Sequence, residues 1–410
     1  MKIVILAVGT IHDVRPCARL AKQLVKKNHD VTLIAFDVFK EYIENTGARF
    51  IQYPYASEAL INGKTAESVP EMMSYIKKLC ESDSDLVRET LLEASQGADV
   101  LLYTDKSLGM VYIGESLKKP YIRLSFTPDA PTSAFRCIYS GECRVGGIFR
   151  RIYNKMTHIS YNRKLVKIQK NSKKSWCKPL GIKNKFKLCR KYLDGSGIEN
   201  LLGCSDLILP ESDDLRENMH IVGYFSDFEC EDTYTPPADL AEFLKNGNAP
   251  VYVKFTDASE YDHALSTVLQ ALKLAGKRAV VGGDTSGEKL PENAICAKDV
   301  PYEWLFSRCE AVIQHGDAEI TANALMAGKP TLVIPVNNEQ TFWGNRVYER
   351  GLGPKPMHPK KLIAVSFAEV IDELCSPEYT ERAEYVGKLL KAEDGAGRAV
   401  DFIEREYGEQ

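Results

Sequence analysis

The 410-residue chain carries 53 Lys or Arg against 56 Asp or Glu, with 44% hydrophobic and 27% charged residues. That is the make-up of an ordinary globular protein, long for one domain and comfortable for two. It excludes a membrane-spanning chain, because no segment approaches the apolar length that a span requires.

The opening run KIVILAV is a buried strand, followed by an amphipathic helix over 14–27 and a second strand, HDVTLIAF. As a signal peptide MKIVILAVGT is poor: its apolar run is short, it lacks an A-x-A site, and a charged helix follows at once. A helix over 39–45 ends at Gly47, ARFIQYP is a third strand, and a variable stretch with a helical pattern covers about 67–94. Then come ADVLLYT, a helix over 108–117, the strand PYIRLS, a long basic helical region, and the strand-like runs SDLILPE and MHIVGYF. Acids cluster over 226–237 and Pro236-Pro237 punctuates the chain there, so this segment reads as a linker between domains 1–225 and 238–394. The second half repeats the architecture with strands PVYVKF, RAVVGG, NAICAK, EAVIQ and TLVIP, and helices over 262–274 and 301–307. Helices over 367–374, 379–391 and 397–407 follow. Strands alternating with helices predict α/β domains with parallel sheets and right-handed crossovers.

The basic region departs from the rest in charge. Residues 144–191 hold sixteen Lys or Arg and no Asp or Glu, interleaved with aromatics, against a formal net charge of −3 for the whole chain. Three readings fit it. One is a solvated helical face, one is docking to an anionic membrane surface through residues such as Arg150, Arg151, Lys173 and Lys174, and one is nucleic acid. No recognised nucleic-acid module supports the last. The eleven cysteines are odd in number and include no C-x-x-C pair, which suits reduced thiols in the cytoplasm and gives no metal site.

The densest signal lies at 311–354: AVIQHGDAEITANALMAGKPTLVIPVNNEQTFWGNRVYERGLGP. It reads as strand, histidine turn, helix, strand, polar turn, helix. This order sets His315 and a helix N-terminus at the carboxyl edge of one strand, and Glu339 and Gln340 at the edge of the next. That edge is where open α/β sheets bind ligands, and helix N-termini attract phosphate.

This segment resembles the donor-binding motif of the family 1 glycosyltransferases, in the branch holding sterol glucosyltransferases and bacterial antibiotic glycosyltransferases. His315, Gly316, Ala318, Thr321, Ala324, Leu325, Ala327, Gly328, Pro330, Pro335, Gln340, Phe342, Trp343, Gly344, Arg346, Val347, Gly351, Gly353 and Pro354 carry the resemblance. It implies a GT-B fold: two facing Rossmann-like domains with a cleft between them, an acceptor-binding first domain, and a last segment, 395–410, crossing back to that domain. The implied reaction is inverting transfer from a UDP- or TDP-linked sugar to a lipophilic alcohol, phenol or lipid, with the nucleotide sugar as co-substrate and no tightly bound cofactor.

Such a reaction needs a base for the acceptor hydroxyl and stabilisation of the departing diphosphate. Gly9-Thr10-Ile11-His12-Asp13-Val14-Arg15-Pro16 is similar to the family's loop after the first strand. By that likeness Asp13 is the base, with His12 as rival or partner; the plainer reading is that Asp13 caps the following helix. Asp105 lies near the position of an orienting acid in plant relatives. On the donor side the resemblance assigns His315 and the helix N-terminus to the diphosphate, Glu339 and Gln340 to sugar hydroxyls, and the backbone near Val300 to the nucleobase, with Gly316, Asp317, Thr321 and Thr256 also in the donor site; Trp304 reads as core.

One spot breaks the pattern. Where the family has glycines and a hydroxyl, this chain has Asp317, Glu319 and Ile320, and the other phosphate loop reads Lys254-Phe255-Thr256-Asp257. Carboxylates beside a diphosphate oppose its binding, although acids in a first helical turn also suit the macrodipole. Lys254 or a divalent cation could offset them. The alternatives are an enzyme with a modified donor site, a pseudoenzyme or partner subunit whose site Asp257, Asp317 and Glu319 block, and another GT-B enzyme such as a sugar-nucleotide epimerase. A cytoplasmic protein, peripheral on the inner face of the membrane, is the expected setting.

Overall fold

The computed structural model describes all residues except 55–84, 105–106, 108, 129–130, 144–145, 183–196, 227–233, 256–260, 262, 284–289 and 409–410, together with the side chains of 165–175. The chain forms two units, one of Met1–Asp206, Pro210–Ser226 and Asp394–Gln410, the other of Leu207–Leu209 and Asp227–Glu393.

The first unit contains β1 (Lys2–Leu6), α1 (Ile11–Lys26), β2 (Asp30–Ala35), α2 (Lys40–Glu44), β3 (Arg49–Gln52), α3 (Asp85–Ser95) and β4 (Val100–Thr104). It continues with α4 (Gly109–Leu117), β5 (Tyr121–Ser125), α5 (Gly147–Cys177), β6 (Glu199–Leu202) and β7 (Met219–Ile221). Its described strands pair parallel in the order β3-β2-β1-β4-β5-β6-β7. The chain runs outward in one direction from β1 and in the other from β4. The switch point therefore falls between those two strands, and the loops beyond their carboxyl ends form the crevice where such sheets bind ligands.

The second unit contains α6 (Ala238–Lys245), β8 (Val251–Lys254), α7 (Ala264–Leu274), β9 (Ala279–Gly282), β10 (Ala294–Ala297) and α8 (Tyr302–Phe306). Then follow β11 (Ala311–Gln314), α9 (Ala318–Met326), β12 (Thr331–Val333), α10 (Asn338–Glu349), α11 (Ala364–Leu374) and α12 (Pro377–Ala392). The strand order is β10-β9-β8-β11-β12, again parallel, so the switch point lies between β8 and β11. Both faces of this sheet are covered. Val251, Val253, Val281 and Ile313 pack on one side, and Tyr252, Val280 and Val312 on the other, which is why these strands read as unbroken apolar runs.

The last helix, α13 (Gly395–Tyr407), completes the first unit's core. Ala399, Val400, Phe402 and Ile403 join the same cluster as Ile3, Ile5 and Leu24, and the His29 ring Nε2–H donates to Glu404 at 2.9 Å.

SDLILPE is not a strand. Its residues form turns, Leu207–Leu209 group with the second unit, and the Arg350 guanidinium takes the Ile208 and Leu209 carbonyls at 3.5 and 2.6 Å. Those carbonyls are satisfied by a side chain instead of a ladder, and the strand beside β5 is the less apolar ENLL. Among the described residues no helix is long and apolar enough to cross a membrane.

Because Ile403 is fully buried, Ile403→Ala should cost about 2–5 kcal/mol of the first unit's stability in urea unfolding. A loss under about 0.5 kcal/mol would remove α13 from the core.

Candidate functional site

In the first unit, β1 ends at Leu6 and the chain turns through Val8-Gly9-Thr10 into α1. Thr10 is the N-cap. Its backbone N–H donates to Asp13 Oδ2 at 2.8 Å and its hydroxyl to the same oxygen at 3.2 Å. Gly9 sits at φ +152°, and a Cβ there would collide with the Asp13 carboxylate, so only glycine allows this closure. Asp13 thus stands at the third helical position of a capping box with Thr10. It stays half-buried at the carboxyl edge of β1, next to His12, itself half-buried. Ser107 ties this loop to the one after β4: it accepts from Val8 N at 3.0 Å and exchanges a bond with Thr104 at 2.9 Å. Asp105 lies outside the described residues.

In the second unit, Gln314 ends β11 and pairs with Lys254 of β8. The next residues make the turn predicted. Gly316 has φ +110°, and a Cβ there would lie 2.7 Å from Gln340 Cα, so the histidine turn rests directly on the first turn of α10. Asp317 is the N-cap of α9, its carboxylate accepting from Ile320 N at 2.9 Å. The buried Gln314 side chain accepts from Gly316 N at 2.6 Å and Asp317 N at 2.9 Å, and donates to the Thr321 hydroxyl at 2.7 Å. Thr321 in turn donates to the Asp317 carbonyl at 2.6 Å and is fully buried. Its hydroxyl is therefore committed to the turn.

His315 is buried, with Nδ1–H donating to the Lys254 carbonyl at 3.4 Å. A carbonyl only accepts, so that bond puts the ring proton on Nδ1. The Lys254 ammonium donates to the Tyr302 hydroxyl at 2.8 Å and lies 5.4 Å from that ring's centroid. Burial pulls the Lys254 pKa down, but Tyr302, Asp317 and Glu319 outweigh it and raise the ammonium above its ordinary value. A raised lysine keeps its charge below that value, so the loss of charge falls above the working range of pH. Burial also raises the Tyr302 phenol, which stays neutral.

Gln340 completes the capping box of α10. Its Oε1 accepts from Val336 N at 2.8 Å and Tyr261 OH at 3.3 Å, while Asn337 caps Gln340 N at 3.0 Å. Glu339, half-buried, shares that turn. His315, Gly316, Asp317, Thr321, Glu339 and Gln340 are thus brought together. The Val300 side chain is buried, and Trp304 packs in the core with Arg308 over its ring at 4.2 Å. Thr256 and Asp257 lie outside the described residues, as do the side chains of Lys173 and Lys174. Arg150 and Arg151 are exposed on α5. The reading from sequence missed Gln314, Tyr302, Tyr261 and Ser107, none of which stands in a motif.

Two doubly wound parallel units, each with candidate chemistry at its switch point, define the GT-B class of fold. Solved structures agree. The glycosyltransferase of kitacinnamycin superposes with a TM-score of 0.71 at 18% identity, covering 99% of each chain. Glycosyltransferase VinC, solved in complex with dTDP, gives 0.69 at 14% identity, again over 99% of each. Residues 281–393 match the family of C-terminal domains of erythromycin biosynthesis protein CIII-like proteins. A sterol 3-beta-glucosyltransferase of Komagataella phaffii is 29% identical across the whole of this chain and 35% of its own length. One from Arabidopsis thaliana is 28% identical across 98% of this chain and 64% of its own. The chain therefore spans about a third to two thirds of these relatives. The fold is that of the GT-B glycosyltransferases, and the chain is similar to sterol and antibiotic enzymes of that fold.

Gln314 supports two turn amides and one hydroxyl at once. Gln314→Leu should leave them unsatisfied and cost about 1–3 kcal/mol in urea unfolding; an unchanged midpoint would show that the turn stands without it.

Proposed function

We propose that this chain is an inverting glycosyltransferase, moving a sugar from a UDP- or TDP-linked donor to a hydroxyl of a lipophilic small molecule or lipid. The donor is a co-substrate, and no cofactor is held between turnovers. The observation that carries this reading is the second unit's switch point, where a half-buried cation at the end of β8 meets an oriented histidine and a helix N-terminus at the end of β11. Each of the three favours a diphosphate and its growing charge as the glycosidic bond breaks. His315 offers Nε2 to a diphosphate oxygen, Lys254 supplies a fixed positive charge, and Glu339 with the amide of Gln340 holds the sugar hydroxyls. Asp13 takes the acceptor proton, with His12 as the rival base. The domains act as acceptor domain 1–225, linker 226–237, donor domain 238–394 and returning helix 395–410. The chain works in the cytoplasm at the inner, anionic face of a membrane, where lipophilic acceptors reside.

The acids that replace the family's glycines do not argue for an inactive protein. Asp317 caps its own helix, and Lys254 stands as the countercharge to it and to Glu319. The named relatives are glycosyltransferases, and a pseudoenzyme or partner subunit draws no support from them.

Calorimetric titration of UDP and TDP into the protein, with and without Mg²⁺, tests the donor site. Binding should be weakened about tenfold or more by Lys254→Met, the loss of a charge-assisted bond, and weakened also by His315→Ala. Absence of binding under every condition, with Asp317→Gly plus Glu319→Gly restoring it, would sink the reading. Asp13→Asn should lower the rate of transfer about 10²–10⁴-fold while nucleotide affinity stays the same. A rate that survives Asp13→Asn and falls with His12→Gln would move the base to His12.

A further inference from the structure

The helix α5 is built inside out. Its inward face holds Asn154 and His158, both buried, and their side chains donate to the Ser133 carbonyl at 2.9 Å and the Phe135 carbonyl at 3.1 Å. Its outward face is apolar: Ile148, Phe149, Ile152 and Met156 are 64, 67, 55 and 52% exposed. At 3.6 residues per turn these four side chains fall within an arc of about 100°, the width of a stripe that normally faces a core. Asn154 and His158 point the opposite way. A helix with such a stripe turned to solvent is built for an apolar surrounding.

The charges around the stripe say which surrounding. Arg151 and Lys155 flank one edge, and Arg163 and Lys164, both exposed, continue the line of the helix. Residues 144–191 contain no acid, and among the described residues two acids from elsewhere lie close to α5. Asp213 lies 3.6 Å from Arg151 and Asp214 lies 3.5 Å from Lys155. Burial would raise Asp214, but the Ser133 amide and the Thr132 and Ser212 hydroxyls hold it well below the usual carboxylate range. Asp214 thus anchors the strand of chain beneath the helix, donors on several sides, and leaves the basic excess in place. An apolar stripe with cations along it suits the boundary between acyl chains and anionic headgroups.

We propose that Ile148, Phe149, Ile152 and Met156 insert into an anionic lipid surface, with Arg163 and Lys164 among the basic residues that hold the headgroups. The inference names the membrane-contacting face for the lipophilic acceptor proposed above and rests on that reading only for its purpose; the face itself rests on α5.

The test is co-sedimentation of the whole chain with phosphatidylcholine vesicles, with and without phosphatidylserine. The protein should partition onto the phosphatidylserine vesicles, and less so as salt is raised. Phe149→Ser plus Ile152→Ser should lower the partition about 100-fold, two side chains being withdrawn from apolar surroundings. Arg163→Glu plus Lys164→Glu should lower it about tenfold or more on anionic vesicles. All four sites are exposed, so unchanged thermal unfolding of both variants is the control for folding. Failure of the parent chain to bind anionic vesicles overturns the proposal, and so does equal binding by the serine variant. A self-association of the parent that the serine variant lacks would show a second copy on this face, and overturns it too. Transfer to a water-soluble phenol should survive the serine substitutions. Vesicle binding without turnover of any donor would leave this face standing and sink the transferase, and turnover without vesicle binding would do the reverse.

Discussion

In the second sheet β11 runs parallel between β8 and β12, so that Gln314 stands opposite both Lys254 and Val333. Every group of the candidate donor site hangs from that register. The Lys254 carbonyl turns the His315 ring, its ammonium meets Tyr302, and the Gln314 side chain folds over the amides just beyond the strand. Successive residues of a strand face opposite sides of the sheet, so a slip of one residue would exchange the two faces and scatter all three contacts. Apolar packing on both faces of the sheet prevents the slip. The chemistry at the edge is thus held by Val, Ile and Tyr side chains that never meet a ligand.

The same register brings a countercharge to the acidic loop. Two unit charges about 4 Å apart interact by ~4 kcal/mol at an effective dielectric of 20, enough to matter for a diphosphate. Asp317 spends its carboxylate on the amide of Ile320, a cap the helix would otherwise find in solvent. Lys254, kept charged by its surroundings, offsets part of what remains. The loop carries one cation against two acids, a partial compensation where the related motif uses bare glycine backbone.

Most of the architecture was legible because each strand is an apolar run between a helix and a turn. EAVIQ, TLVIP and KIVILAV lie where their periodicity placed them. SDLILPE failed for a reason no window of sequence contains: Arg350, 141 residues away from Leu209, takes its carbonyls. The candidate site divides likewise. His315, Gly316 and Gln340 stand in a motif and could be named in advance. Tyr302 and Tyr261 reach the site only through tertiary packing, and Gln314 looked like one more strand residue. In α5 the basic residues were plain, but the direction of the apolar stripe was not. Only the buried Asn154 and His158 reveal that the polar side faces inward.

The placement of α13 carries a consequence for how the chain is made. The second unit is continuous but for Leu207–Leu209, so it can close once residue 393 is made. The first unit, though synthesised earlier, has no cover for Ile3, Ile5 and Leu24 from Val400 and Ile403 until residues 394–410 follow. The first unit is therefore the later of the two to have all its core residues synthesised, whereas N-terminal domains usually fold first. A nascent first half waits with one wall of its core open through more than a hundred residues of translation. During that interval the cell's folding helpers have an apolar surface to hold.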